Sequence, residues 1–570
     1  LFDKVSIESK IEKQAKISIN RMIYWWTRKP LIVGRAMTLA STLDNIEDVK
    51  SLLGLDTKNR AYKYIPDNTI FTKKLGVDPK EIKVLDPFAG AGNLAFSAVQ
   101  LGLDVTASDY NPLAHIIEKS VLEFPQKYKN RLVDDFEKFS NMVIDKTEQE
   151  LGKFFKSKQL TYLWCWCIDC PYCKQRFPLT NHMWIVKNTK KKIGIKIIPE
   201  NKKFKIEIDY NMKKIDGDKF TQKRGKAICI SCKNSITYDQ ITKHISENKD
   251  KEMLVIQIQN NDKREFIAAT EEDKKNHLDS EMYFNTKKKE FEKEGFIPEL
   301  NILPSHQNTL MHYNIQTWDE YFDKRQLLVL CTFAQNIKTI CSEIKDKDYQ
   351  KVIATYLTFI LAKRVDMAGL GVLWHTRAEK PEHILTLRRP GIVYNFAESN
   401  PFEKIAGNFL NNVKSIKSGI LFATRLSNSS KCNLESVTLK TNKKYDLIIT
   451  DPPYGDDIQY GELSEFFYVW VINVLKNYFP ELPSRVNLDE DFCVSKARFQ
   501  NKSLALEFFE KGLKKSFVSM NDKLEDDGLL VVFFAHSSTE TWNLLLESIR
   551  EANFKVLSSY SIHTENTSNV

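Results

Sequence analysis

The chain has 570 residues, a formal charge of +10 from 84 Lys and Arg against 74 Asp and Glu, and 42% hydrophobic residues. This balance excludes disordered and fibrous classes and predicts several packed units, since domains run about 100–200 residues. No run of about 18 apolar residues and no signal-peptide core occurs, so a spanning helix is excluded, no membrane partner is expected and a cytoplasmic location is predicted.

Residues 1–60 are predicted to be an N-terminal helical segment, with Ala15, Ile19, Met22, Ile23 and Trp26 on one face before Pro30 and Gly34 punctuate it. Residues 61–155 open an α/β core. A strand at 82–85 runs into the turn Asp86-Pro87-Phe88-Ala89-Gly90-Ala91-Gly92-Asn93, then a helix over 94–101, then a second strand ending at Asp109. Residues 156–310 change texture to cysteine pairs, lysine clusters and alternating runs, which predicts an inserted β-rich module. Residues 311–430 read as a helical region. Residues 431–570 return to the core, with strands at 445–450 and 529–534 and helices at 462–475 and 503–524. The fold class expected is α/β: a Rossmann-like parallel sheet interrupted by a large insertion. The chain begins without Met and stops just past a strand-like run, and it reads as a piece of something longer.

The glycine turn suits an adenosine-type cofactor. Gly90 and Gly92 remove side chains where a ligand approaches backbone amides, and Asp109 follows Gly90 by 19 residues, near the spacing at which a carboxylate reaches ribose hydroxyls. Asp86, Pro87, Phe88, Ala89, Gly90, Gly92 and Asn93, with Asp109, Tyr110 and Asn111, are the candidate cofactor residues. Asp86 stands where it would meet the ammonium of a bound amino acid. Taken alone, such a turn is equally compatible with a purely structural role.

Asp451-Pro452-Pro453-Tyr454 ends a hydrophobic strand, where two prolines stop the ladder and hold carbonyls exposed. An exocyclic base amine is a poor nucleophile because its lone pair is delocalised into the ring. Hydrogen bonds from its two N–H groups to the Asp451 carboxylate and the Pro452 carbonyl would draw it toward a pyramidal form, with Pro453 stiffening the turn and Tyr454 stacking on the base. A paired base must be flipped out to reach such a pocket.

Cys170-Pro171-Tyr172-Cys173 and Cys229-Ile230-Ser231-Cys232 are two knuckles of the kind that hold a four-thiolate structural zinc. Cys165 and Cys167 precede the first knuckle and complicate the choice of ligands. Lys190-Lys191-Lys192, Lys202-Lys203 and Lys223-Arg224 suit phosphates or a solvated face equally. Trp374-His375-Thr376-Arg377 and Arg388-Arg389 are weaker candidates for strand contact, more easily read as structural. His536 would line the pocket or fill the core.

With these motifs assembled, the chain resembles the adenine-specific DNA methylases that contain a zinc ribbon. The resemblance covers most of the chain. It includes Tyr24-Trp25-Trp26-Thr27-Arg28-Lys29-Pro30-Leu31, the glycine turn, Tyr162-Leu163-Trp164 and Ala397-Glu398-Ser399-Asn400-Pro401-Phe402. Later come Asp451-Pro452-Pro453-Tyr454, Ser464-Glu465-Phe466-Phe467-Tyr468-Val469-Trp470, Phe534-Ala535-His536 and Ile562-His563-Thr564-Glu565. It implies a seven-stranded methyltransferase sheet with helices on both faces and an S-adenosylmethionine cofactor whose methionine end is covered by Trp26 and Pro30. It also implies a target-recognition insertion, double-stranded DNA with a flipped base as substrate, and partner proteins of restriction–modification or phage defence. N4-cytosine methylation, guanine-N2 methylation of RNA and a non-catalytic nucleic-acid-binding subunit are the rival expectations.

Overall fold

Within Tyr445–Thr450, consecutive residues alternate from Leu447 on: Leu447 and Ile449 point into one apolar cluster, Ile448 into another. A strand with both faces apolar must be covered on both sides, which is the condition of a parallel sheet between two helical layers. The computed structural model, which describes residues 1–55, 60–303, 310–387, 389–426, 428, 430–455 and 458–564, has that arrangement. Five parallel strands lie in the order Lys431–Leu434, Asp104–Asp109, Lys83–Asp86, Tyr445–Thr450, Leu524–Val532. One face is closed by the helix Lys502–Lys523 through Phe509, Leu513 and Phe517, with Leu545 from the helix Thr539–Glu551. The opposite face joins the main core with Val84, Val105 and Ala107.

Numbered along the chain, the strand order is 3-2-1-4-5. It reverses direction between Lys83–Asp86 and Tyr445–Thr450, which pair directly, Val84 opposite Leu447 and Leu85 opposite Ile448. In open parallel sheets a crevice forms outside the carboxyl ends of the strands at such a reversal. The glycine turn leaves the first of these strands and Asp451 follows the second.

The insertion departs from its expected borders. Its main antiparallel sheet runs Lys263–Ala268, Lys251–Asn260, Gln159–Asp169, Asn395–Ser399, so a strand of the expected helical region completes it. The joint is fixed by a buried ion pair: Arg325 Nε and Nη2 donate to Glu398 Oε1 and Oε2 at 2.9 and 2.7 Å, and Trp164 Nε1 donates to Glu398 at 3.0 Å. The quoted Ala397–Phe402 run is thus accounted for by packing. Long helices, Glu271–Glu294, Lys324–Ser342 and Lys347–Val365, surround this sheet. Beyond the first knuckle the chain forms a three-stranded meander of Trp184–Lys187, Lys192–Glu200 and Lys203–Asp209.

Two further expectations are corrected. Gly34 does not break a helix; it lies inside Leu31–Thr42, where a Cβ would meet Ser97 Oγ at 2.8 Å, so the glycine permits close packing against the helix Asn93–Val99. Among the described residues the sheet has five strands, not seven. Residues 552–564 form no strand and lie partly along the N-terminal helix, where Tyr560 stacks on Phe2 and His563 N donates to Ser6 Oγ. Arg388 and Glu565 lie outside the described residues. No described helix is long and apolar enough to cross a membrane.

Candidate functional site: a cleft at the strand-order reversal

The turn after Lys83–Asp86 brings Gly90 to φ +54°, a conformation open to glycine at little cost. A Cβ there would also stand 2.9 Å from Trp25 Nε1. The backbone at Gly90 is pinned by Asp109: Gly90 N donates to Asp109 Oδ2 at 2.9 Å, while Asn111 N donates to Oδ1 at 2.8 Å. Asn111 in turn caps the helix Pro112–Leu122 and donates to Ser464 Oγ at 2.8 Å.

The resulting cleft holds about 680 Å³ of empty space, open solvent included. Of the residues expected from sequence, Phe88, Ala89, Gly90, Asn93, Asp109, Tyr110, Asn111, Asp451 and Pro453 line it together. Gly90 and Asp451 therefore face one cavity although 361 positions separate them in the chain.

Other expected residues stand behind this wall. Asp86 is fully buried and neither of its carboxylate oxygens has a hydrogen-bond partner. Burial, reinforced by the neighbouring Asp451 carboxylate, pushes its acid well above the ordinary carboxylate range, so direct contact with a ligand ammonium in the cleft is not what its position provides. Pro87, Pro452 and Gly92 shape the turns without lining the cleft. Tyr454 packs edge-on against Phe534, at 4.9 Å between ring centres. Pro30 caps the helix Leu31–Thr42. Trp26 packs against Tyr24 and Phe467 instead of facing the cavity.

Trp25 takes the place expected of Trp26. It stacks on Tyr460 at 5.8 Å and lines the cleft with Thr27, Arg28 and Lys29. The resemblance pointed to Trp26 for this place; residues 22–30, which carry both tryptophans, are not α-helical. Tyr460 is held by a 2.7 Å hydrogen bond between its hydroxyl and that of Thr27. Asp491, which no motif marked, accepts from Tyr110 OH at 2.7 Å and from Arg498 Nη2 at 2.8 Å.

The electrostatics of the cleft are set by carboxylates brought to adjacent strand ends. Burial raises Asp109 to about 6, against the opposing pull of the Asn111 and Gly90 amides. Burial raises Asp451 as well, opposed first by Lys29, whose ammonium lies 3.1 Å from Asp451 Oδ1, and by the Tyr454 hydroxyl, which donates to the same oxygen. Lys29 Nζ also donates to Tyr454 OH at 2.5 Å and sits 5.1 Å from the centre of its ring. Asp451 is thus a buried acceptor on the cleft wall, its acid raised by burial and drawn back by Lys29 and Tyr454.

The four knuckle cysteines meet as expected, their sulfurs all within 4.8 Å of one another, an arrangement that can hold a metal ion. Cys165 and Cys167 are excluded from this set: both lie buried in the strand Gln159–Asp169, and Cys165 Sγ accepts from Asn395 Nδ2. His536 stands outside the cleft lining, its ring nitrogen accepting from Ser538 N.

A family model described as a protein of unknown function (DUF1156) matches residues 2–63, the stretch that contributes Trp25, Thr27, Arg28 and Lys29 to the cleft. No curated protein and no solved structure matches the chain.

Proposed function

We propose that the chain is an S-adenosylmethionine-dependent methyltransferase whose target is the exocyclic amine of a nucleic-acid base. The observation that carries this reading is the shared cleft: the glycine turn with Asp109 on one side, Asp451 and Pro453 on the other, at the reversal of a 3-2-1-4-5 parallel sheet. That order is the one found in Rossmann-like folds. The residues present fit the cofactor. Asp109 has acceptor capacity left for ribose hydroxyls, and Trp25 and Tyr460 offer ring faces in the cleft. When bound, the cofactor supplies an electrophilic methyl group.

The chain's own part is to hold and polarise the amine. Asp451, on the cleft wall, accepts an N–H of the amine, which helps return the lone pair to nitrogen for in-line displacement; the motif's other acceptor, the Pro452 carbonyl, stands behind the cleft lining in this structure. Lys29 and the Tyr454 hydroxyl both occupy Oδ1 of the Asp451 carboxylate, which leaves Oδ2 to accept the amine. Adenine N6 in double-stranded DNA is the target we favour, from the resemblance to the zinc-ribbon DNA methylases. A structural zinc at Cys170, Cys173, Cys229 and Cys232 and a place in restriction–modification or phage defence belong to the same reading. Incubation with labelled S-adenosylmethionine and duplex DNA, followed by nucleoside digestion, tests it. N6-methyladenine is expected; N4-methylcytosine would move the target base, and label entering only transfer RNA as N2-methylguanine would move the substrate.

A further inference from the structure

The positive charge of this protein is concentrated in one place. Between Cys170 and Ile236 there are 17 Lys and Arg against five Asp and Glu, an excess of 12, while the whole chain carries only +10. The remainder of the molecule is therefore slightly acidic, and the cysteine module alone accounts for the basic balance.

Within the module, basic residues occupy positions at which the backbone favours glycine. Lys174, directly after the first knuckle, has φ +62°; Lys233, directly after the second, has φ +64°; Lys202, in the turn of the meander, has φ +64°. A lysine in the left-handed region costs on the order of 1 kcal/mol, which glycine avoids. A module selected for stability alone gains nothing from lysine there. All three side chains are exposed, and among the described residues none forms an ion pair.

These turns are also neighbours. Arg176 N donates to Lys202 O at 3.1 Å, Gln175 Nε2 donates to Lys203 O, and Ser231 Oγ donates to Gln175 Oε1 at 3.2 Å. Gln175, adjacent to Lys174, thereby ties the meander turn to both knuckles. Lys174, Lys202, Lys203 and Lys233 belong to one local surface held by the cysteine cluster.

We propose that this surface docks the phosphate backbone of duplex DNA, with the metal site serving to hold its turns in register. The choice of DNA rests on the function proposed above; the charge and the strained lysines do not. Lysines act as point charges on phosphates and carry no base readout, so they position the duplex instead of selecting a sequence.

The test uses the full chain with its metal and a fluorescent 30-base-pair DNA duplex, titrated over a range of salt. The triple variant Lys174→Gly, Lys202→Gly, Lys233→Gly is expected to melt no lower than the parent and to keep its metal, because glycine relieves the left-handed strain. Its affinity for the duplex should fall at least tenfold, and the slope of log affinity against log salt should drop by about two to three, roughly 0.9 for each phosphate no longer neutralised. Unchanged affinity and slope in a variant of intact stability would overturn the proposal. A duplex RNA of the same length that competes more tightly than the DNA would overturn the choice of partner. DNA binding that depends on these lysines in a protein that transfers no methyl group would refute the proposed function and leave this inference standing. Methyl transfer to DNA with affinity indifferent to them would do the reverse.

Discussion

The ammonium of Lys29 lies 3.1 Å from Oδ1 of Asp451, joining the N-terminal segment to the strand end that carries the acceptor carboxylate. Lys29 and Asp451 are both largely buried, with side chains 18% and 17% exposed. The pair has a clear electrostatic purpose, since burial alone would push Asp451 toward its neutral acid, which cannot accept two N–H bonds as well as a carboxylate does.

Replacing Lys29 should therefore appear in the pH profile. Activity requires ionised Asp451 and rises as pH passes its titration. Lys29→Met removes the group that lowers this titration and should shift the acid limb of kcat/KM to higher pH by about 1–3 pH units, with Lys29→Arg close to the parent. An acid limb unchanged in Lys29→Met would mean that the ion pair is only structural.

Asp109 gives a second pH signature. Its raised value, about 6, makes the ionised form costly in the folded protein. Its contribution to folding is thus fullest below its unfolded value near 4 and declines as pH rises through about 6. Ribose hydroxyls favour the ionised acceptor, so cofactor affinity measured by calorimetry should strengthen from pH 5 to pH 7.5. Asp109→Asn should weaken it about 10–100-fold and flatten that dependence.

The joint between Gln159–Asp169 and Asn395–Ser399 depends on Arg325 and Glu398, both almost fully buried. Removing one partner strands a buried charge, so Glu398→Ala should cost about 3–5 kcal/mol in denaturant unfolding, whereas the double variant Arg325→Met, Glu398→Leu should lose much less. Equal losses in the two would show that packing, not charge, holds the joint.

The cysteine cluster should bind one metal ion per chain. Chelation, or Cys173→Ser, should remove it and expose the stretch from 170 to 236 to protease, because a four-thiolate site contributes directly to folding of its module. The parallel sheet does not contain these residues, so cofactor binding should persist.

What the sequence made legible was local. The glycine turn, Asp109 and Asp451 could be found because strand ends and tight turns demand particular residues within a few positions. The cluster of four cysteines was legible from its spacing, but the exclusion of Cys165 and Cys167 was not, since only the strand that buries them decides it. Trp25 and Trp26 are adjacent and chemically alike, and the resemblance could not tell which of the two faces the cleft; Trp26 packs on Tyr24 and Phe467, as a residue of an apolar face would. Asp491 and Tyr460 reach the cleft through tertiary packing and carry no motif of their own, and nothing in the Tyr24–Leu31 segment marked Lys29 as the partner of Asp451. Asn395–Ser399 was missed as part of the inserted sheet because its partner strand, Gln159–Asp169, lies more than 200 residues earlier.

The most direct measurement separates binding from transfer at Asp451. Calorimetry with S-adenosylmethionine and a labelled-methyl transfer assay on duplex DNA would be run on the parent and on Asp451→Ala. The account predicts that both proteins bind the cofactor with similar affinity while only the parent methylates adenine. Transfer that continues undiminished in Asp451→Ala, or a parent protein that binds no cofactor, would contradict it.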